Sequence, residues 1–496
     1  MKELQLIARA RIHGARIALR EGERSFSYSE LLETSASIAS SLLDGRQDLA
    51  ETRVGLMAPA GFDYTAIQWA IWRSGGIVVP LSVHATPPEL AHALEDSGTE
   101  LIVTTADYAD RLAGRARRVL LVDEIADAAA CDLPEIVPQR RAMILYTSGT
   151  TNKPKGVVST HANLNAQIET LVEAWEWHAD DRIPLFLPLH HIHGIVNVLG
   201  CALWSGAMVE AFPRFETDVV LPRVAEGAYT LFMAVPTIYA KLVSLLDSQS
   251  SDHQAVLRGF ANMRLMVSGS AALPASLHRQ WEMLTEHDLL ERYGMTETGM
   301  ILSNPLHGER RAGSVGVPLP SVEVRLRTER GEGIVAEGEP GEIHVRGPGV
   351  FGEYWGLPHV TEDSFDDGWF RTGDMAVLES GYYRILGRLS VDIIKSGGYK
   401  LSALEIEAAL LDHPAIRECA VVGLADDTWG EAVAVAVVLE SREVTLELDE
   451  LRRWGKERLS PYKLPHHLLL VDSLPRNAMG KVTKREVERL FHAPRD

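Results

Sequence analysis

Between residues 54 and 104 short apolar runs alternate with segments that read as helices, and this alternation restricts the possible fold more than any other feature of the chain. The runs at 54–58, 77–81 and 101–104 suit buried strands. The segments at 62–72 and 88–96 suit helices, closed by Gly75-Gly76 and by Gly98. Strand, helix, strand in repetition implies βαβ units and a largely parallel sheet, because a parallel return needs a helix-length crossover. A further apolar run at 119–122 follows, then Ala142-Met143-Ile144-Leu145, a buried strand that gives way to a polar loop. The next helix is expected to begin near His161-Ala162-Asn163.

That loop, residues 146–156, reads Tyr-Thr-Ser-Gly-Thr-Thr-Asn-Lys-Pro-Lys-Gly. Thr147, Ser148, Thr150 and Thr151 offer hydroxyl donors to anionic oxygens, Gly149 and Gly156 let backbone amides approach a polyphosphate, and Lys153 and Lys155 add positive charge. The common P-loop of NTPases is excluded, because six residues separate the two glycines and Val157 stands where that motif needs Lys. The alternative is a polar surface turn, for which the density of hydroxyls and lysines is unusual. The segment as a whole resembles the phosphate loop of the adenylate-forming superfamily: acyl-CoA synthetases, luciferases and peptide-synthetase adenylation domains. The resemblance implies an α/β fold, with a large N-terminal domain of doubly wound α/β subdomains over 1–387 and a small, mobile α+β C-terminal lid over 388–496.

A net charge of −19 argues against nucleic acid as a partner, since neutralising phosphates needs a basic face. Cys131, Cys201 and Cys419 are too far apart for a metal or redox motif, which suits a reducing compartment. Arg9, Arg11, Arg16 and Arg20 interrupt the apolar clusters near the start, and no stretch approaches the roughly 20 apolar residues of a membrane span. The expectation is a cytoplasmic protein without a membrane partner, a monomer or a homodimer.

Leu187-Pro188-Leu189-His190-His191-Ile192-His193 holds three histidines in four positions, with no carboxylate or cysteine at metal-ligand spacing. It resembles the family's Pro-x-x-His motif, which implies that His191 borders a carboxylate pocket; a satisfied core histidine is the plain alternative. Two stretches then put polar groups where strands end, as ligand sites of open α/β sheets do: residues 264–272, with Ser268, Ser270 and Ala271, and residues 289–297. In the second, Tyr293 offers a flat ring for a purine and Glu297 a hard carboxylate for Mg2+. The resemblance assigns these same roles, adds Gly294, Met295 and Thr296 to the nucleotide contacts, and makes the 268–272 loop pocket wall and adenine contacts, with Ser270 and Ala271 on the nucleotide and Ser268 on the substrate carboxylate.

Arg292 departs from many acyl- and aryl-CoA ligases, which carry an uncharged residue before Tyr-Gly-Met-Thr-Glu, and resembles malonyl-CoA synthetases. A guanidinium fork answers a buried carboxylate with two charge-assisted hydrogen bonds, so Arg292 reads as a clamp for a second substrate carboxylate. A structural Arg paired with Glu291 or another acid is the competing reading.

Further on, Trp369-Phe370-Arg371-Thr372-Gly373-Asp374 is expected to place its carboxylate just after a turn, and Gly387-Arg388 follows a strand at 382–386. By resemblance, Asp374 accepts the ribose hydroxyls and Arg388 completes that contact. Beyond 388 a helix at 403–411, strands at 418–423 and 432–439, a helix at 448–459 and a strand at 467–471 outline the small unit. The resemblance puts a hinge within 388–392, lays Lys395, Ser396, Gly397 and Gly398 against coenzyme A, and makes Lys481 the catalytic lysine.

The implied chemistry joins ATP, Mg2+ and coenzyme A with a small dicarboxylic acid: malonate or methylmalonate forms an acyl-adenylate and then a thioester. Alternatives are a fatty or aryl acid ligase with a structural Arg292, an adenylation enzyme that loads a carrier protein, and a nucleotide-binding protein without turnover.

Overall fold

This computed structural model describes residues 3–129, 131–147, 154–246, 250–328, 333–397, 399–441, 444–476 and 482–492. Among the described residues the strands form five sheets. The largest places Ile77–Pro80, Arg53–Met57, Leu101–Thr104 and Arg118–Leu121 in parallel, with helices Phe62–Arg73 and Pro87–Ser97 as crossovers. Arg141–Thr147 joins the same sheet parallel to Ile77–Pro80.

This sheet is mixed rather than uniformly parallel. The chain returns as the strand Lys155–Thr160, antiparallel to Arg141–Thr147, and Glu353–Tyr354 closes that edge. The expected helix then starts at His161, capped by Thr160, whose hydroxyl accepts from the Asn163 amide while the Asn163 side chain answers the Thr160 amide. The N-terminal helix Tyr28–Leu43 opens on the same device, built from Ser27 and Glu30.

A second sheet carries most of the site. Leu231–Ala234, Leu265–Ser268 and Leu290–Met295 run parallel, then Gly299–Ser303 turns back antiparallel. Its strands bury nearly every side chain, and Trp281, Tyr239, Phe232 and Phe260 pack edge to face behind them.

Residues 323–388 form an antiparallel sheet of Glu323–Arg327, Pro340–Arg346, Phe365–Asp366, Trp369–Glu379 and Tyr382–Arg388. Asp374 therefore lies inside a strand and not just after a turn. The left-handed Gly373, with φ at 73°, kinks the strand before it, and the register shifts after Met375. The kink lets Thr372, Gly373 and Asp374 look like a turn in sequence while cross-strand pairing holds them extended.

The last sheet belongs to a small C-terminal α+β unit with its own core of Ile394, Ile406, Val421, Val433, Val435 and Leu451. Helices Ala403–Leu410 and Leu448–Gly455, strands Ile416–Asp426, Gly430–Leu439 and His467–Leu470, and the helix Lys484–His492 compose it. The second helix stops at Gly455 rather than near 459. Among the described residues no helix is long and apolar enough to cross a membrane.

Candidate active site

The strand Leu290–Met295 and the turn after it hold three consecutive pieces of the site. At its middle lies Arg292, which is 3% exposed. Its guanidinium lies over Gly269, where a Cβ would come within 2.4 Å of Cζ, so only glycine leaves room for the cation. Nη2 donates a long 3.4 Å hydrogen bond to Ser270 Oγ, and Nε has no partner. Burial pushes the guanidinium's affinity for its proton down and that of the neighbouring Glu291 carboxyl up. Glu291 turns to the opposite face, where Oε1 accepts from the Leu273 amide at 3.0 Å, so it forms no ion pair with Arg292.

Ser270 links Arg292 to His193, whose Nδ1 is 3.2 Å from Ser270 Oγ. The hydroxyl accepts from Arg292 and so donates to Nδ1, which leaves Nε2 as the protonated nitrogen of a neutral ring. Burial first, and the charge of Arg292 second, hold that ring well below the ordinary histidine range. His193 Nε2 and Arg292 Nε are both buried without a partner, and Ser268 Oγ, also without one, lies in register with Glu291 on the other face of the sheet. Unsatisfied buried donors beside a guanidinium are costly by themselves and cheap around an anion. Ser270 adopts a left-handed φ of 71°, a strained position for a residue with a side chain.

The sequence motif pointed to His191. His193 reaches Ser270 and, through it, Arg292, and the His191 ring lies against His190 with ring centroids 4.1 Å apart. The chain after Pro188 coils into the π-helical segment His193–Gly200, which turns the third histidine inward.

One residue beyond Arg292, half-buried Tyr293 donates its hydroxyl to Asp374 Oδ2 at 2.5 Å. Asp374 also takes both arms of Arg388, Nε to Oδ1 at 2.8 Å and Nη2 to Oδ2 at 3.1 Å. The antiparallel register sets Asp374 directly across from Arg388. A carboxylate has about four lone-pair positions, so one on Oδ1 stays open for a further donor such as a hydroxyl. Gly294 is required by packing, because a Cβ there would meet the Gly299 carbonyl at 2.2 Å.

The following turn carries Thr296 and Glu297. Glu297 is 6% exposed and pinned twice: its carbonyl accepts from the Phe351 amide at 2.7 Å, and Oε1 accepts from the Tyr354 hydroxyl at 2.9 Å. Lys155 Nζ sits 4.3 Å above the Tyr354 ring. Burial pushes the Glu297 carboxyl above its ordinary range, while Tyr354, Arg388 and Lys155 pull the other way. A carboxylate so buried welcomes a cation. Magnesium takes one or two carboxylates and completes its shell with phosphate and water, so a single Glu297 fits it; among the described residues no group of three or more His, Cys, Asp or Glu forms a dedicated metal cage. Asn163 and Gln167 fix the piece that bears Phe351, donating to the carbonyls of Pro348, Val350 and Gly349.

Thr147 ends its strand with Oγ1 3.4 Å from the Lys155 carbonyl, which brings these two residues of the expected phosphate-binding stretch together. Ser148, Gly149, Thr150, Thr151, Lys153, Gly398 and Lys481 lie outside the described residues. Ala271 is exposed beside Ser270, and Met295 is half-buried. Lys395, Ser396 and Gly397 sit on a separate hairpin of the C-terminal unit, with Ser396 paired to Tyr399 and Gly397 packed on the Trp429 ring. Tyr354 and His193 are the residues that sequence reasoning passed over. The third histidine of the cluster was a visible signal, but nothing local marks Tyr354.

Residues 6–355 match the family described as AMP-binding enzyme, and residues 405–481 match the AMP-binding enzyme C-terminal domain. A mitochondrial malonate–CoA ligase of Mus musculus is 44% identical, over 97% of this chain and 89% of its own, and a malonate–CoA ligase of Arabidopsis thaliana is 40% identical over 96% and 86%. Among solved structures, ATP-bound MatB from Rhodopseudomonas palustris superposes with a TM-score of 0.90 at 32% identity, over 98% of this chain and 99% of that one. A malonyl-CoA ligase with methylmalonyl-CoA and AMP bound gives 0.70 at 36% identity, over 96% and 100%. With its family match spanning well over half its length and its relatives nearly all of it, the chain belongs to the AMP-binding enzymes.

Proposed function

We propose that the protein is an ATP-dependent, AMP-forming ligase that converts malonate, or methylmalonate, and coenzyme A to the acyl-CoA. One observation carries the substrate: Arg292 is a buried guanidinium that no carboxylate among the described residues pairs with. An unpaired buried cation is tolerated when a ligand supplies the counter-charge. His193 Nε2, linked to Arg292 through Ser270, extends the same donor set, so the clamp suits the far carboxylate of a short diacid. The malonate–CoA ligases among the relatives support this reading.

In the first step an oxygen of the near carboxylate attacks the α-phosphorus of ATP. A P–O bond forms, the bond to the bridging oxygen breaks, and pyrophosphate leaves. Tyr293 lies along the purine, and Asp374, held by Arg388, takes a ribose hydroxyl on its open lone pair. Thr147, Lys155, the loop residues 148–151 and Lys481 receive the phosphates, which aligns two anions that would otherwise repel. Glu297 would hold magnesium, which would supply positive charge to the phosphoryl oxygens.

In the second step the thiolate of coenzyme A attacks the acyl carbon, the C–O bond to AMP breaks, and AMP departs. None of Cys131, Cys201 and Cys419 lies in the stretches that carry the site residues, so the thiol is assigned to an external co-substrate. The proposal includes a division at 387/388, a lid over 388–496 that turns between the steps, and pantetheine contacts from Lys395, Ser396, Gly397 and Gly398. It also includes cytoplasmic residence, which fractionation would test against the mitochondrial naming of the animal relatives. A monomer or homodimer is expected, read by light scattering.

Pyrophosphate release with free coenzyme A, over malonate, methylmalonate, acetate and octanoate, tests the function. Malonate or methylmalonate must lead by at least tenfold in kcat/KM; a lead by octanoate or acetate would replace the diacid reading with a monocarboxylate ligase. Turnover only with a carrier protein in place of coenzyme A would replace the acceptor.

A further inference from the structure

Tyr354 belongs to the two-residue strand Glu353–Tyr354, whose register is tied to the strand Lys155–Thr160: Tyr354 pairs with Val157 and Glu353 with Val158. The Trp355 amide extends the pairing to the Gly156 carbonyl at 2.8 Å. From the other side, Thr361 Oγ1 accepts the Tyr354 amide at 2.9 Å. The ring packs edge to face on Phe351, with centroids 4.7 Å apart, and the residue is 4% exposed. Phe351 in turn donates its amide to the Glu297 carbonyl. Backbone pairing and ring packing therefore fix where the phenol stands, whatever its hydroxyl does.

Two opposite charges meet on this one side chain. The hydroxyl donates to Glu297 Oε1 at 2.9 Å, and the Lys155 ammonium stands 4.3 Å from the ring centroid. Burial first, and the Glu297 carboxylate second, push the phenol's affinity for its proton up, so it stays a donor. A carboxylate has about four lone-pair positions, so a single bond from Tyr354 orients Glu297 without filling it. The ring face attracts the ammonium without neutralising it.

The charge of Lys155 reaches Glu297, yet no hydrogen bond joins the two. Lysine has a long, flexible stem, and a buried carboxylate is a strong attraction for it. Direct contact would occupy both charges and take a phosphate-binding cation and a metal-binding carboxylate from the site together. Tyr354 touches both and gives each a partner that is not the other.

We propose that Tyr354 is a positioning residue for metal–nucleotide binding: its ring holds Lys155 and its hydroxyl holds Glu297, which keeps the two charges from pairing and leaves both to the triphosphate and its magnesium. The inference rests on Lys155 meeting phosphate and Glu297 meeting magnesium, as proposed above.

The test uses the full-length enzyme with Tyr354→Phe, Tyr354→Leu, Lys155→Met, Glu297→Gln and the double variant Tyr354→Leu/Lys155→Met. ATP binding is read by equilibrium dialysis with neither acid nor coenzyme A, so that no turnover intervenes, once with magnesium and once with EDTA in its place. The ratio of the two dissociation constants is the tightening that magnesium provides. Tyr354→Phe keeps the ring under Lys155 and removes the donor. Its magnesium tightening should fall by about tenfold, the low end of the usual cost of losing a partner that orients a metal ligand, while affinity in EDTA stays within about threefold. Tyr354→Leu removes both holds and lets Lys155 reach Glu297, so affinity in EDTA should fall as well, to the level of Lys155→Met. Removing the ammonium from that collapsed pair frees the carboxylate, so the double variant should regain the magnesium tightening of Tyr354→Phe. Loss of packing alone would not be relieved by a second substitution.

Unchanged tightening in Tyr354→Phe, or a double variant no better than Tyr354→Leu, would overturn the proposal. Melting temperatures accompany every variant; should Tyr354→Leu melt early, Tyr354→Phe, which keeps the packed ring, decides alone. Full magnesium tightening in Glu297→Gln would instead overturn the magnesium assignment, and unchanged affinity in EDTA for Lys155→Met the phosphate assignment, both readable without any Tyr354 variant.

Discussion

Replacing Arg292 by methionine is the sharpest perturbation of the proposed diacid pocket. The side chains are similar in reach, so the cavity is kept while the charge and its donors go. In the protein as it stands the guanidinium has one 3.4 Å contact and an orphaned Nε, so the substitution removes an unpaired buried cation and leaves little behind. Stability should stay level or rise. With a diacid bound the balance reverses, because truncating one partner of a buried, hydrogen-bonded charge pair costs about 3–5 kcal/mol. At about 1.4 kcal/mol per decade this is roughly a hundredfold to a few thousandfold in kcat/KM for malonate. Pyrophosphate release measured with malonate and with propionate separates the effects: malonate should collapse, and propionate should hold or improve as the pocket becomes apolar. A loss for malonate below about fivefold, or an equal loss for both acids, refutes the clamp. A large drop in melting temperature refutes the premise that the cation lacks a partner in the resting protein.

Gly269→Ala should push the Arg292 guanidinium aside, since the new Cβ would lie 2.4 Å from Cζ; the expected result is a malonate KM at least tenfold higher with ATP KM unchanged, read in the same assay. Asp374→Asn removes the charge that Arg388 and Tyr293 share, and hydrogen bonds to charged groups are worth about 1.5–3 kcal/mol. ATP KM in pyrophosphate exchange should rise about tenfold to a hundredfold; an unchanged value would remove Asp374 from the nucleotide site. Burial lowers the His161 pKa to about 3, with the ring edge on Trp72. The unfolded chain then binds a proton that the folded one refuses, so stability falls as pH drops from about 6.5 toward 3, by about 2 kcal/mol on reaching pH 5. In urea unfolding at pH 7 and pH 5, His161→Phe should lose about 2 kcal/mol less than the unaltered protein, and equal losses would contradict the sign.

The sequence by itself determined the parallel half of the large sheet, because buried strands and amphipathic crossovers write their periods locally. Residues 53–104 fold as that pattern requires, with helix ends at the glycines that marked them. The small C-terminal unit was legible for the same reason, down to the helix that starts at Ala403. The expected phosphate loop stands out in the sequence because its residue types suit an anion and not packing.

Beyond the strand at 382–386, which the sequence showed, the tertiary structure decided the antiparallel sheet over 323–388 and the return strand Lys155–Thr160. Glycines and acids such as Gly341, Glu342, Gly373 and Asp374 interrupt these strands, and their local preferences oppose the extended state that distant partners impose. It also decided which histidine turns toward Arg292, since a coil of the chain after Pro188 sets the facing and no spacing rule does. The meeting of Lys155, Tyr354 and Glu297 joins three separate segments, and Lys484 reaches Asp392 across most of the C-terminal unit. Contacts of that kind follow from how layers stack, which a linear pattern of residues does not encode.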